Sequence, residues 1–232
     1  LAESIQRARA LLLAGEVRVN QQRADKPGAL VSTDAKLEIS SGRIPYVSRG
    51  GLKLAGALDD LGLPVEGKIC LDAGSSTGGF TDCLLQRGAK KVYAVDVTID
   101  QLDWKLRQDS RVICIECNAR YLKTETIAEP ADFVCADVSF ISVSKLFPAL
   151  IRTATAQADF LILIKPQFEL GRGDIPNGAI ISDPLLHERA IQSVRDASAK
   201  AGLAALKVLP SRIPGAGGNQ EFFLHARRQM LK

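Results

Sequence analysis

The stretch ICLDAGSSTGGFTDCLLQRGAKKVYAVD, residues 69–96, decides the fold. Ile69–Ala73 is a short apolar run of the kind that forms a strand buried on both faces. A glycine-rich turn interrupts it. Gly79–Arg87 then reads as a helix and Lys91–Asp96 as a second strand. Strand, turn, helix, strand is a βαβ unit, and such units stack into a parallel sheet. Glycines 74, 78 and 79 let the backbone pass close to a ligand and then enter a helix. Their spacing is G-x-x-x-G-G, not G-x-G-x-x-G, and no Lys-Ser/Thr pair follows to make a Walker loop. Asp96 ends the second strand about 20 residues on, where a carboxylate accepts hydrogen bonds from ribose hydroxyls.

The alternation continues outward. Val112–Cys114, Phe133–Ala136 and Phe160–Ile164 are further strand candidates, separated by helical candidates at 51–62, 102–108, 144–153 and 184–201. LKVL from Leu206 and EFFLHAR from Glu221 are two strands with no helix between them, which predicts a terminal antiparallel pair. The fold class is therefore α/β, with a mostly parallel sheet.

Four polar residues stand where a core would not ask for them: Lys53 in SRGGLKL, Asp137 after FVCA, Lys165 after FLILI, and Glu221 in GGNQEFF. A charge directly after a buried strand is costly unless it is paired or exposed in a site. Strand ends are where α/β enzymes build active sites. Asp82, Ser139 and Ser142 read as capping or solvated residues, and His187, beside Glu188 and Arg189, as part of a solvated helix face. The turn-rich loop 166–179 directly follows Lys165, and long loops of that kind are often functional.

The composition, 46% hydrophobic and 24% charged over 232 residues, is ordinary for a soluble protein of one domain plus a small appendage. No apolar run approaches 18 residues, which argues against a membrane span. Residues 1–16 lack the long apolar stretch of a signal peptide. The first residue is Leu, so further residues are expected before it. Five cysteines, an odd number, read as reduced thiols of a cytoplasmic protein. Cys114 and Cys117 form a lone C-x-x-C with no second pair, so no metal is expected.

The charge is uneven. Residues 1–56 hold nine Lys/Arg against five Asp/Glu, and the remainder holds 21 of each, so the whole net charge of +4 lies in the first quarter. Basic residues clustered in a small segment fit contact with phosphates. Within it, residues 4–14 read as a helix stopped by Gly15, VRVN (17–20) as a strand, Gln21–Arg23 as a polar turn, Lys26-Pro27-Gly28 as another turn and Leu37–Ile39 as a strand. SSGRIP, residues 40–45, breaks regular structure. The expected division is 1–41, a linker over 42–47, and a second domain over 48–232.

These stretches carry resemblances. Arg7, Ala8, Leu12, Gly15, Val17, Val19, Asn20, Lys26 and Pro27 make the first segment similar to the S4 RNA-binding domain, without its usual first helix. The glycine turn with Asp96 resembles the S-adenosylmethionine site of class I methyltransferases, which implies a Rossmann-like seven-stranded sheet. By that resemblance Asp72, Gly74, Ser75, Thr77, Gly78, Gly79, Phe80, Asp96, Asn118 and Asp137 bind the cofactor. The order Lys–Asp–Lys–Glu at 53, 137, 165 and 221 resembles the catalytic tetrad of FtsJ-type RNA 2′-O-methyltransferases. SRGGLKL, DAGSSTGGFTDCLL, ADVSFIS, LIKPQFE and GNQEFF, with the S4-like segment, resemble the TlyA, or hemolysin A, family. The resemblance implies a ribosomal RNA 2′-O-methyltransferase acting on cytidine within ribosomal subunits. Lys165 would assist loss of the hydroxyl proton, Asp137 would orient it, and Lys53 and Glu221 would position the hydroxyl. Arg7, Arg9, Arg18, Lys26 and Arg49 would meet RNA. Three alternatives stand beside this reading: a nicotinamide dinucleotide site, a membrane-lysing toxin, and a non-catalytic RNA-binding relative.

Overall fold

The computed structural model describes residues 2, 4–14, 17–24, 26–39, 44–171, 180–215 and 217–229. The first segment forms α1 (Ile5–Ala14), β1 (Val17–Val19), β2 (Gln22–Ala24) and β3 (Leu37–Ile39), with an antiparallel sheet ordered β2-β1-β3. The expected turn over Gln21–Arg23 sits one residue earlier. Asn20 and Gln21 both adopt left-handed backbone, φ 48° and 67°, so a two-residue hairpin joins β1 to β2. Asn is among the residues that tolerate this region best, and its Oδ1 also accepts a bond from the Lys36 amide at 2.8 Å. Ala8, Leu11, Leu12, Val17 and Val19 face an apolar hollow of about 240 Å³. Alternation along β1 therefore sends Arg18 to the sheet face away from α1. Gly15, the expected helix stop, and residues 40–43, of which 42 and 43 open the expected linker, lie outside the described residues.

The rest of the chain forms α2 (Arg49–Leu61), β4 (Ile69–Ala73), α3 (Gly79–Gln86), β5 (Lys91–Asp96), α4 (Trp104–Arg107), β6 (Val112–Glu116), β7 (Ala131–Ala136), α5 (Phe147–Arg152), β8 (Ala154–Ile164), α6 (Pro166–Glu169), α7 (Pro184–Lys200), β9 (Leu203–Pro210) and β10 (Phe222–Arg228). The seven-stranded sheet has the order β6-β5-β4-β7-β8-β10-β9. β4 to β8 run parallel, and β10 is antiparallel to both its neighbours. The strand order reverses beside β4, so β4 and β7 diverge into the crevice where α/β sheets take ligands.

Alternate residues of each central strand fill two cores. Leu71, Val95, Val134, Phe160, Ile162 and Leu224 pack with α5 and α7. Cys70, Val92, Phe133, Leu161 and Phe223 pack with Leu54 and Leu58 of α2 and Leu84 of α3. Helix ends follow local chemistry. Gly62 closes α2 at φ 61°, and Asp183 caps α7 by accepting a bond from the Leu185 amide ahead of Pro184 at the first helical position. The helix expected over 144–153 begins as a 3-10 turn, Val143–Leu146, and becomes α-helical only at Phe147. At the sheet end away from the crevice, the buried Asp159 accepts bonds from His225 Nε2 (2.8 Å), Arg227 Nε (2.7 Å) and Lys68 Nζ (3.2 Å). Burial alone would raise its pKa; the three partners outweigh it and hold the carboxyl well below the usual range.

His187 departs from expectation. Its Nε2 lies 2.9 Å from the Ile181 carbonyl, and its ring meets Phe222 edge-on at 5.2 Å, so it fastens α7 to the sheet rather than facing solvent.

Candidate active site

The glycine turn after β4 crosses the crevice floor. Gly74 adopts φ 87°, and a Cβ there would lie 2.4 Å from the Asp137 carbonyl oxygen. A Cβ on Gly78 would meet Leu106 at 2.3 Å, and one on Gly79 would meet Ser48 Oγ at 2.3 Å. The sequence predicts that these glycines admit a ligand. At 78 and 79 the close neighbour is the protein itself: α4 on one side, the start of α2 on the other.

Two clefts open beside this turn. One, about 420 Å³, is lined by Ser48, Arg49, Lys53, Ser75, Thr77, Gly79, Phe80 and Lys165, among others. The second, about 380 Å³, is lined by Asp96, Cys117, Asn118, Val138, Phe140 and Leu146, among others. They share Gly74, Ser76, Gln101, Asp137 and Ser139, so they join at Asp137. Asp96 Oδ2 accepts a bond from the Ser76 amide at 2.9 Å, which ties the turn to the end of β5. Asn118 Oδ1 accepts from the Arg120 amide at 3.0 Å and caps the turn after β6. Ser75 Oγ is buried in the first cleft with no hydrogen-bond partner among the described residues.

The four separated polar residues pair two by two. Lys165 Nζ lies 2.5 Å from Asp137 Oδ1 and donates to Ser139 Oγ at 2.9 Å. The lysine–carboxylate contact is a close ion pair without the alignment of a hydrogen bond. Lys53 Nζ donates to Glu221 Oε2 at 2.5 Å. Lys53 and Glu221 are only 8% and 2% exposed, so neither is a surface charge. The register explains the meeting. Phe222 faces Ile164, so Glu221 stands level with Lys165 where β8 ends and β10 begins. Lys53, Asp137 and Lys165 line the first cleft, and Glu221 stands behind Lys53.

Other expected site residues fall elsewhere. Asp72 is fully buried under the turn and bonded to Thr81, outside the lining of either cleft, and Gly78 is likewise absent from both. Arg9, Arg18 and Lys26 are exposed on the N-terminal module, away from the two clefts. The Arg7 side chain lies outside the described residues. Arg49 belongs to the cleft, its guanidinium donating to the Pro214 carbonyl at 2.9 Å.

Three residues gain roles the sequence did not assign. Asp82 is buried and accepts bonds from the Val47 amide (2.8 Å), Gln86 (3.0 Å) and Lys105 (3.1 Å), strapping residues 45–48 to α3. Glu169 accepts from Ser142 Oγ (2.5 Å) and the Val143 amide (2.8 Å), which pins α6, just after Lys165, to the loop after Asp137. Phe140 is 88% exposed, adopts φ 70°, and packs on Phe168 at 5.5 Å. A bulky residue held in left-handed backbone marks strain, which concentrates at functional sites. The signal for all three was adjacency to the motifs, but their partners other than Gln86 are 23 to 35 residues away in sequence.

Comparison with known proteins agrees with this geometry. The model of the FtsJ-like methyltransferase family matches residues 46–228, and that of the S4 domain matches residues 1–37. The chain belongs to the FtsJ-like methyltransferase family and carries an S4 domain ahead of it. It is 45% identical over 231 residues to the 16S/23S rRNA (cytidine-2′-O)-methyltransferase TlyA of Mycobacterium tuberculosis, covering 99% of this chain and 86% of that protein. It is 42% identical to Hemolysin A of Brachyspira hyodysenteriae, covering 96% of this chain and 93% of that one. A solved Streptococcus thermophilus protein described as a hemolysin superposes with a TM-score of 0.81 at 40% identity, over 98% of this chain and 84% of that chain.

Proposed function

We propose that this chain transfers a methyl group from S-adenosylmethionine to the ribose 2′-hydroxyl of a cytidine in ribosomal RNA. The observation that carries the reading is the pairing of Lys165 with Asp137 at the junction of the two clefts. No helix among the described residues is long and apolar enough to cross a membrane.

The residues present fit the cofactor. Its nucleoside would lie in the cleft of Asp96 and Asn118, and its amino-acid end by Ser75 and Thr77, where the unpartnered Ser75 hydroxyl offers a hydrogen bond. Bound there, the cofactor supplies an electrophilic methyl group. A ribose hydroxyl is a poor nucleophile at neutral pH and must lose its proton as it reacts. Lys165 Nζ, once it has given up its own proton and stands as the neutral amine, receives that proton, and Asp137 and Ser139 fix its position. The Lys53–Glu221 pair holds the hydroxyl's approach. Most of the rate comes from alignment and fixed charges rather than from covalent chemistry. The exposed Phe140 ring beside the pair offers a stacking face for an unstacked base.

Titration calorimetry with S-adenosylmethionine, together with methyl-transfer assays on isolated ribosomal subunits, tests the reading. It fails if the cofactor does not bind or no 2′-O-methylcytidine forms. In the same titration Asp96→Ala removes the carboxylate assigned to the ribose. Affinity should fall about 10- to 150-fold, the cost of a lost charged hydrogen bond. An unchanged affinity excludes that assignment.

The N-terminal module is assigned to RNA. Deleting residues 1–41 should leave cofactor binding intact and weaken binding to ribosomal RNA, because Arg7, Arg9, Arg18, Arg23, Lys26 and Lys36, six of the nine Lys/Arg before residue 57, go with it. Each lost phosphate contact lowers the slope of log affinity against log salt by about 0.9 on a duplex. Binding measured at several salt concentrations decides this, and an unchanged slope removes the module from the RNA contact.

A further inference from the structure

We infer that Glu169 is a positioning residue for Lys165: it locks the segment after β8 to the loop after β7, and so keeps Lys165 Nζ on both Asp137 and Ser139. This rests on the function proposed above.

The loop after β7 needs such a fastener. The pairing of β7 with β4 and β8 ends at Ala136, and the Asp137 amide makes one last bond, to the Ala73 carbonyl at 2.9 Å. Residues 138–141 then make no backbone–backbone hydrogen bond among the described residues. Yet this stretch carries Ser139, one of the two contacts of Lys165, and Phe140 at φ 70°. A bulky residue stays in left-handed backbone only where its surroundings enforce it. The segment after β8 is no firmer by itself. Lys165 is the cap of α6, which has only four residues, and a single helical turn does not persist without tertiary support. α7 packs against α6 and against the turn at 143–146, which brings the two together. Glu169 is what bonds them.

The two segments meet at three successive levels. Lys165 Nζ lies 2.5 Å from Asp137 Oδ1 and 2.9 Å from Ser139 Oγ. Phe168 packs on Phe140 with ring centroids 5.5 Å apart. Glu169 Oε2 accepts from Ser142 Oγ at 2.5 Å, and Oε1 accepts from the Val143 amide at 2.8 Å. The first level is the site itself. The second is a contact between rings, which constrains direction weakly. The third spends both oxygens of one carboxylate on consecutive residues just beyond the strained one, and bonds to a charged group are short and directional. Burial pushes the Glu169 carboxyl up from its ordinary value, and the Ser142 and Val143 bonds are the main forces drawing it back. Without Glu169 the strain at Phe140 is free to relax. Asp137 stays, fixed by its bond to β4, but Ser139 withdraws, and the long lysine chain loses the second contact that sets its direction.

Single-turnover rates with saturating S-adenosylmethionine and ribosomal subunits test this in a double-mutant cycle. Glu169→Ala should slow transfer about 10- to 100-fold, up to what a misplacement of about 1 Å costs. Glu169→Gln keeps an acceptor for the Val143 amide and a polar partner for the Ser142 hydroxyl, so its rate should stay within about fivefold of the parent. With Lys165→Ala already in place, Glu169→Ala should change the residual rate by no more than about twofold, because residues that act as one unit are not additive. A role confined to stability would slow both backgrounds alike. Ser142→Ala removes one of the two bonds from the opposite segment and repeats the cycle should loss of Glu169 prevent folding. It should be about 3- to 10-fold slower in the parent and without effect beside Lys165→Ala. Equal slowing in the two backgrounds, or an unslowed Glu169→Ala, overturns the inference. An unaltered protein that transfers no methyl group overturns the function reading beneath it.

Discussion

Lys165→Ala should lower the single-turnover rate of methyl transfer by roughly 10²- to 10⁴-fold, the usual worth of a positioned proton acceptor. Cofactor affinity should stay within a few-fold. The distinction follows from the geometry. Lys165 lines the tetrad cleft and contacts Asp137 and Ser139, whereas Asp96 and Asn118 line the other one. Quenched-flow measurement with saturating cofactor and ribosomal subunits separates the two quantities. A variant that keeps a near-normal rate refutes proton acceptance by Lys165 and leaves it a structural partner of Asp137.

Glu221→Ala should damage stability as well as activity. It strands the Lys53 ammonium in a site only 8% exposed, with its one described carboxylate partner removed. Breaking a buried pair by deleting one member costs about 3–5 kcal/mol. For a protein of this size that corresponds to a melting temperature lower by roughly 10 °C. Replacing both members, as Lys53→Met with Glu221→Leu, should recover most of the loss, since no charge is then left unpaired. Activity should not return with it. Thermal melts of the single and double variants decide the matter. A single variant that melts within about 2 °C of the parent contradicts the burial argument.

Much of the fold was legible because its signals are local. The strands at 69–73 and 91–96 match their expected bounds, since an apolar run buried on both faces needs no partner to be recognised. Charges directly after such runs gave Asp137 and Lys165. The hairpin at Asn20–Gln21 was misplaced by a residue because its left-handed backbone is carried by Asn and Gln, not by glycine. Asp72 and Gly78 were legible as part of the cofactor motif but not as buried supports, because spacing does not say which residues of a turn face inward. The partners of Asp82 and Glu169 in the segments at 47 and 142–143 were invisible because each bond joins a helix to a stretch distant in sequence that only the fold brings to it. His187 was read from the charges beside it on α7, while its contact, Phe222, is on β10.

The two ion pairs of the site close very different lengths of chain. Asp137 and Lys165 follow adjacent parallel strands, β7 and β8, and meet as soon as those strands align. Lys53 and Glu221 are 168 residues apart, and Glu221 arrives only when β10 inserts between β8 and β9. Contacts of such separation form late and slow the folding of a domain. An immature chain that has built β4 to β8 therefore has the Asp137–Lys165 pair but not the Lys53–Glu221 pair. Insertion of the last strand is thus what completes the buried Lys53–Glu221 pair as well as the sheet.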